Sequence, residues 1–374
     1  MFHLAFAIPG LFVICRTIWP LPWTLTAKLA AAVLVLLASQ YHLYSRMSSG
    51  SVFSAEMPRS AIIGFNWAFS AILLLALLQI FADVSALVVS LLQGQPMAAP
   101  ASVRYAIGAL AFVLAAVGVQ AAIRVPPLRD VTIEIANLPP AFEGYTVVQL
   151  TDLHISRLFP AAWTSAVVRD TNLLAPDLIV ITGDLIDGTI AERRADVAPL
   201  RGLRATDGVF VIPGNHEYFF DPAAWMRQFA SLGMVTLENS HAVIERQTAR
   251  LVLAGLTDLS AAETGFAMPD LEQALAGVPP AAPVILLDHQ PKNARAAALR
   301  GVALQLSGHT HGGLVVGLER IFALANGGFV SGKYNVDGMT LYVNNGTALW
   351  GGLALRLGKP SELTRLTLKR KSKE

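Results

Sequence analysis

The chain has 374 residues, 54% of them hydrophobic and 14% charged, a balance unusual for a soluble protein. Its net charge of +2, with no stripe of Lys and Arg interleaved with aromatics, excludes an electrostatic nucleic-acid binder. The single cysteine, Cys15, excludes an internal disulfide and a thiolate metal site.

Long apolar runs dominate from Met1 to about Ile123, and ordinary globular composition returns from Asp130. This divides the chain into a membrane domain over 1–124 and a water-soluble domain over 125–374. A bilayer core needs roughly 20 apolar residues per helix. Four segments meet that need: about Phe2 to Ile18, Thr24 to Tyr44, Ala61 to Ala82 and Tyr105 to Ile123. The apolar start has no basic region before it and further spans follow, which argues against a cleaved signal peptide. Asp83 interrupts the run from Ala61 to Leu92, so the third span is expected to end near Ala82, with the remainder along the interface. Asp83 is read as a helix boundary, the alternative being a buried functional carboxylate. With four spans, Arg46, Arg59, Arg124 and Arg129 share one side and Arg16, Lys28 and Arg104 the other. That excess of one charge puts the termini and the soluble domain in the cytoplasm; one span fewer would reverse the answer. The terminal "KRKSKE" is read as a solvated end, with contact to anionic lipid as the alternative.

Beyond Asp130 the runs "YTVVQL", "DLIVI", "GVFVI", "LVLAGL", "PVILL" and "ALQLS" suit strands buried on both faces. Pro160 to Leu174 reads as a helix, and Asp221-Pro222 supplies an N-cap and first-turn proline for another that reaches about Leu232. The later stretches "MTLYVNN" and "ELTRLTL" alternate and are expected to complete a second sheet. Five strands run directly into polar residues: Thr151-Asp152-Leu153-His154, Thr182-Gly183-Asp184-Leu185-Ile186-Asp187, Pro213-Gly214-Asn215-His216-Glu217, Asp288-His289 and Ser307-Gly308-His309-Thr310-His311. Ligands of open α/β sheets bind outside the carboxyl ends of the strands, so these groups converge if the strands are neighbours. In an extended segment i and i+2 project to one side, which lets His309 and His311 aim at one small volume. Each residue alone is equally well a turn position; five such clusters at strand ends are not.

The order DxH, GDxxD, GNHE, a His after an apolar strand and GHTH resembles the calcineurin-like metallophosphoesterase family over roughly Tyr145 to Val316. The apolar N-terminus and the "GHTHGG" form look most like its transmembrane branch, which includes the YkuE and YaeI phosphodiesterases. The resemblance implies a four-layer α/β/β/α sandwich and two divalent ions, Mn above all, with Fe or Zn as alternatives. It implies that Asp152, His154 and His311 hold one ion and Asn215, His289 and His309 the other, with Asp184 bridging. His216 is then the group that protonates the leaving oxygen or stabilises developing charge, and Asp187 orients it. Glycines in these motifs are expected to let backbone approach the metals or substrate. Asp288 is set aside because its neighbour His289 fills the motif position. Glu217 and Tyr218 are expected to shape the mouth.

The reaction implied is in-line attack by a metal-bridging hydroxide on a phosphodiester or pyrophosphate. Protein phosphatases of the superfamily continue GDxxD with Arg-Gly; here Gly188 and Thr189 follow Asp187, which argues against a protein substrate. Relatives of this branch cleave UDP-2,3-diacylglucosamine in lipid A synthesis, a lipid-linked substrate that suits a membrane-attached enzyme. The competing reading is a membrane sensor with a non-catalytic esterase domain, for which a lost ligand would be the signature. A transporter is disfavoured by the scarcity of paired charges in the spans.

Overall fold

Short buried runs become strands because, covered on both faces, they satisfy their backbone only through neighbours. In the computed structural model, which describes residues 2–371, they form two six-stranded sheets. The first has the order β1-β12-β2-β3-β4-β5 and the second β10-β11-β9-β8-β7-β6. The first sheet contains β1 (Leu128–Ile135), β2 (Thr146–Leu150), β3 (Leu178–Thr182), β4 (Val209–Ile212), β5 (Val235–Thr236) and β12 (Leu363–Arg370); the second contains β6 (Ser240–Arg246), β7 (Ala249–Gly255), β8 (Val284–Leu287), β9 (Leu304–Ser307), β10 (Gly332–Val336) and β11 (Met339–Val343). The strands β2, β3 and β4 are mutually parallel, as are β7, β8 and β9.

The sheets share one apolar core, in which Ile133, Val147, Val180 and Ile212 of the first pack with Leu253, Ile285, Leu306 and Tyr342 of the second. The alternate residues Val148, Ile179 and Ile181 are also fully buried, so the outer face is covered too. Helices α6 (Ala161–Leu173), α7 (Ile190–Val197) and α9 (Pro222–Ser231) bury apolar faces, among them Val167, Val197 and Phe229. On the other outer face Val252, Leu286 and Leu341 pack with Ala294 and Ala297 of a short helix. The result is the α/β/β/α sandwich. As expected, Asp221 caps α9, accepting from Ala224 N at 3.0 Å.

One expectation fails. "MTLYV" joins the second sheet, but "ELTRLTL" lies in the first as β12, parallel to β1 and antiparallel to β2. Leu366 and Leu368 of β12 enter the shared core; alternation demands an apolar face, and either sheet could have provided it. Lys369 and Arg370 are strand residues here, Lys371 N donates to the Ile135 carbonyl at 3.1 Å, and the last three residues of the basic tail, 372–374, lie outside the described residues.

The helices form a second compact unit, which comprises the chain up to Ile123 together with Gly351–Leu357. It contains α1 (Phe2–Val13) with a π-turn over Ile14–Ile18, α2 (Leu25–Ser39), α3 (Tyr41–Ser49), α4 (Arg59–Gln93) and α5 (Ala101–Ile123). Two of these, α4 and α5, are long and apolar enough to cross a membrane, and the pair α2–α3, bent by 47°, would make a third; the helix ending at Ile18 is shorter. The structure departs from the sequence reading at Asp83. Helix α4 runs unbroken for 35 residues through it, because Arg16 Nε and Gln79 Nε2 donate to its two oxygens at 3.0 and 2.9 Å. It is neither a boundary nor an isolated carboxylate.

Segment 351–357 is tied into this unit by hydrogen bonds that its sequence did not foretell. Tyr41 Oη and Asn66 Nδ2 donate to the Gly351 carbonyl at 2.8 and 2.9 Å, Ala354 N donates to Asn66 Oδ1 at 2.6 Å, and Arg356 N donates to the Gly118 carbonyl at 3.0 Å. Gly118 has no room for a side chain, since a Cβ there would lie 2.4 Å from Leu355 Cδ1.

Candidate metal centre

Parallel strands end at a common edge, and at that edge the two sheets deliver residues from five loops. Asp152 and His154 follow β2, Asp184 follows β3, Asn215 and His216 follow β4, His289 follows β8, and His309 and His311 follow β9. Three groups of ligand atoms, each within 4.8 Å of one another, result: Asp152, His154 and His311; Asp184, His289 and His309; and His154, Asp184 and His216. Asp184 and His154 belong to two groups each, so the clusters are contiguous. Asn215 Oδ1 is 3.1 Å from His289 Nε2 and 2.8 Å from His309 Nδ1. With Asp187 Oδ1 beside His216 Nδ1, all nine residues predicted for the site meet in one place. Asp288, set aside, is buried and stands in none of the three groups.

The loops hold these side chains at a cost in backbone strain. Asp152, His154, Asp184, His309 and His311 all have positive φ, between 41° and 69°, a region non-glycine residues seldom enter and which clusters at functional sites. A Cβ on Gly214 would lie 2.3 Å from Asp184 Oδ1, and one on Gly308 would lie 2.2 Å from Thr151 Oγ1 and 2.3 Å from Asp152 Oδ2. These glycines let one ligand loop pack against another.

Partners behind the ligands fix their orientation. Thr182 O is 2.7 Å from His289 Nδ1; a carbonyl can only accept, so the proton sits on Nδ1 and Nε2 faces Asp184 Oδ2 at 3.2 Å. Asp187 Oδ1 lies 2.5 Å from His216 Nδ1 and 3.3 Å from His154 Nδ1, and holds both rings. His154 Nε2, fully buried, has no hydrogen-bond partner among the described residues and lies 3.9 Å from Asp152 Oδ1 and 3.8 Å from Asp184 Oδ2. A buried nitrogen aimed between two carboxylates is costly unless something fills the space. The donor set of carboxylates, amide and imidazoles without thiolate suits a pair of divalent ions, and the orphaned nitrogen marks where one of them fits.

The electrostatics point the same way. Burial opposes charge on His216, but Asp184, Asp187 and Glu217 outweigh it and push the imidazole up to about 9. Burial would raise the Asp184 carboxyl, yet His289 and His216 beside it hold it well below the usual carboxylate range. His309 is driven down to about 3 by burial and by His289. Carboxylates crowded this closely need positive charge among them, and protons supply it where cations do not.

Glu217 and Tyr218 correct the sequence reading, for both are buried. Glu217 does not shape the mouth; it accepts from Asp184 N, Leu185 N and Gly214 N at 3.0, 2.8 and 2.7 Å. One carboxylate thus clasps the two loops that carry Asp184 and Asn215. Tyr218 packs on Phe266. A sixth strand end escaped the reading: after β11 the "NNGTA" turn donates from Thr347 N to Thr151 O at 2.8 Å and from Ala348 N to Asp152 O at 3.0 Å. Polar residues directly after an apolar strand were the signal elsewhere, and the same signal stood here.

Comparison with known proteins agrees with this geometry. The profile of the family described as calcineurin-like phosphoesterase matches residues 145–313. A metallophosphoesterase named YkuE from Bacillus subtilis is 32% identical over 245 residues, which cover 64% of this chain and 84% of that protein. The chain belongs to the calcineurin-like metallophosphoesterase family. A transmembrane protein with metallophosphoesterase domain from Bos taurus is 38% identical over 269 residues, 68% of this chain and 60% of that one. A relative from Danio rerio with the same description is 36% identical and also covered to 60%. The chain thus spans about three-fifths of the length of these two relatives.

Proposed function

We propose that this chain is a membrane-anchored two-metal phosphoesterase that hydrolyses a phosphodiester or pyrophosphate bond in a lipid-linked substrate. The observation that carries the reading is the position of Asp184, which clusters with His289 and His309 and, in a further cluster, with His154 of the Asp152–His154–His311 group; a carboxylate lying between two ligand groups is what a dinuclear site requires. Asp152, His154 and His311 would hold one ion, Asn215, His289 and His309 the other, and Asp184 would bridge. Two bound divalent cations, Mn foremost, supply Lewis-acid charge for the phosphoryl oxygens and a water of lowered pKa.

The chain's own groups do the rest. His216, its Nδ1 held by Asp187, presents Nε2 to the site and protonates the leaving oxygen. Asp187 keeps the ring turned and favours its charged form. No arginine from the loop after Asp187 meets the phosphate: Thr189 instead caps α7 through Glu192, and Arg193 is buried with Nε donating to Asp187 O at 2.8 Å. This supports a diester or pyrophosphate over a phosphoprotein. The apolar helices favour a substrate resident in the bilayer; the Lys and Arg count favours the cytoplasmic side of a multi-pass inner membrane only with four spans, which requires the shorter helix ending at Ile18 to cross as well.

The test is hydrolysis of bis-p-nitrophenyl phosphate and p-nitrophenyl phosphate by the full chain with Mn²⁺, beside Asp184→Asn. Loss of the bridging charge should lower diester cleavage by about a thousandfold, several kcal/mol of transition-state stabilisation, and chelation should abolish it until metal is returned. UDP-2,3-diacylglucosamine is the lipid pyrophosphate to try first, with UMP release as the readout. Diesterase activity without UMP release would remove that substrate, and wild-type activity in Asp184→Asn would remove the mechanism.

A further inference from the structure

Polar groups of the helical unit gather in one place outside the metal centre. Thr17 Oγ1 donates to Gln79 Oε1 at 3.1 Å, Gln79 and Arg16 each take one oxygen of Asp83, and Arg104 lies beside them with Nε donating to Arg16 O at 3.3 Å. Arg16, Asp83 and Arg104 line a cavity of about 530 Å³ whose remaining wall includes Val84, Leu87 and Met97. Both Asp83 oxygens are committed to Gln79 and Arg16, so Arg104 has no carboxylate among the described residues. It is only 8% exposed, and its other partner is the Ala99 carbonyl, reached from Nη1. Nε and Nη1 are thus used, the two N–H donors of Nη2 have no acceptor among the described residues, and Arg104 is part of the cavity wall. A largely buried guanidinium held only by carbonyls is costly, and an anion in the cavity would relieve it.

The depth of the cluster says which anion. On α4, Asp83 stands 17 residues beyond Asn66, and on α5 Arg104 stands 14 before Gly118; at 1.5 Å per residue these are about 25 and 21 Å, close to a bilayer core from the end that holds segment 351–357. Trp19, Trp23 and Tyr105 are 51%, 40% and 45% exposed, and Trp23 Nε1 donates to Tyr105 Oη at 2.9 Å. Tyr105 directly follows Arg104. Such aromatics settle at headgroup level, which puts the cationic cavity at the same level, its apolar wall continuous with the acyl region.

We propose that the Arg16–Arg104 cavity binds the phosphate of an anionic lipid headgroup, with a chain of that lipid along Leu87 and Met97. Arginine suits this because its planar fork makes paired charge-assisted bonds to phosphate oxygens. The proposal rests on the membrane reading above and on nothing in the metal centre.

Full-length protein in a zwitterionic detergent is titrated with dioleoylphosphatidylglycerol, dioleoylphosphatidylcholine and inorganic phosphate, and bound lipid is counted by native mass spectrometry. Phosphatidylglycerol should be retained over phosphatidylcholine by about tenfold or more, the worth of a charge-assisted pair. Arg104→Gln should erase that preference while bis-p-nitrophenyl phosphate hydrolysis stays unchanged. Ala86→Trp, which fills the cavity and keeps both arginines, should erase it too, and it decides the matter if Arg104→Gln does not fold. Equal retention of the two lipids, or displacement by inorganic phosphate at equal concentration, overturns the headgroup site. Carbonate washing of cell membranes separates the two claims: protein released by carbonate sinks the membrane reading, whereas carbonate-resistant protein without lipid preference sinks only the site.

Discussion

In the helical unit polar side chains are consumed in short local sets, Thr17 with Gln79 with Asp83, or Asn66 with Gly351 and Ala354, on regular backbone. At the strand ends of the other unit five ligands sit on strained backbone, and carboxylates and imidazoles crowd one another with shifts of opposite sign. The first arrangement silences polar groups in an apolar setting; the second crowds charge-bearing groups together and leaves His154 Nε2 without a partner among the described residues. The difference teaches what to look for in a chain of this kind: strain and crowding mark chemistry, while satisfied polar pairs mark architecture, and Arg104 is informative because it fits neither class.

The largest test of this contrast is Glu217→Gln. The side chain is fully buried and accepts three backbone N–H bonds, two on Oε2 and one on Oε1, so an amide, with one acceptor oxygen, sets its NH2 against at least one N–H, that of Leu185 when the oxygen takes the Oε2 place. We expect a loss of about 3 kcal/mol in stability and a fall of about 10- to 100-fold in metal affinity, read by thermal melts with and without Mn²⁺. A stable variant with normal metal binding would deny that the clasp holds the loops.

Glycines give the next contrast. Gly308→Ala thrusts a Cβ to 2.2 Å from Thr151 Oγ1 and should cost about 1–3 kcal/mol as an overpacking change, with weakened metal binding. Gly64→Ala lies inside α4 with nothing within 4 Å of the new Cβ and should raise stability by up to about 1 kcal/mol. Equal effects at the two positions would show that loop packing is not what the first glycine serves.

Asn66→Leu tests the satisfied pairs of the helical unit. It removes the donor to Gly351 and the acceptor for Ala354, at a cost of about 1–3 kcal/mol for buried groups left unpaired. Hydrogen exchange should rise at Ala354 before it rises elsewhere; unchanged protection there would mean that the other bonds to Tyr41 and Gly118 suffice.

The smallest effect concerns a charge pair remote from the metals. Burial would raise the Asp177 carboxyl, but the Thr146 N–H, Arg246 and the Thr146 hydroxyl outweigh it and hold it below its ordinary value. A depressed carboxylate contributes stability that is present above its unfolded pKa near about 4 and lost as pH falls through the folded one. Arg246→Met should move acid unfolding to higher pH. The pair is partly exposed, so the change should stay below about 1 kcal/mol, and an unshifted acid midpoint would remove Arg246 from the account.

Much was legible in the sequence because two physical signals are local. Apolar runs of bilayer length and apolar strands ending in polar residues need only their neighbours in the chain to be recognised, and the second signal, together with the resemblance to the calcineurin-like family, named Asp152, His154, Asp184, Asp187, Asn215, His216, His289, His309 and His311 before any coordinates. Three things were not legible, each a matter of what lies opposite. Alternation in β12 demanded a core but not a choice between two sheets that share one. Asp83 read as a break because its charged partner, Arg16, comes from 67 residues away. Glu217 read as a rim residue because two of the three N–H groups it accepts from, those of Asp184 and Leu185, lie more than thirty residues away along the chain. The sequence by itself determined which polar residues stand at the strand ends and roughly where each segment begins. Tertiary structure alone decided how they are held, because hydrogen-bond and charge partners distant along the chain are set by packing, and only packing makes strain at five ligands tolerable.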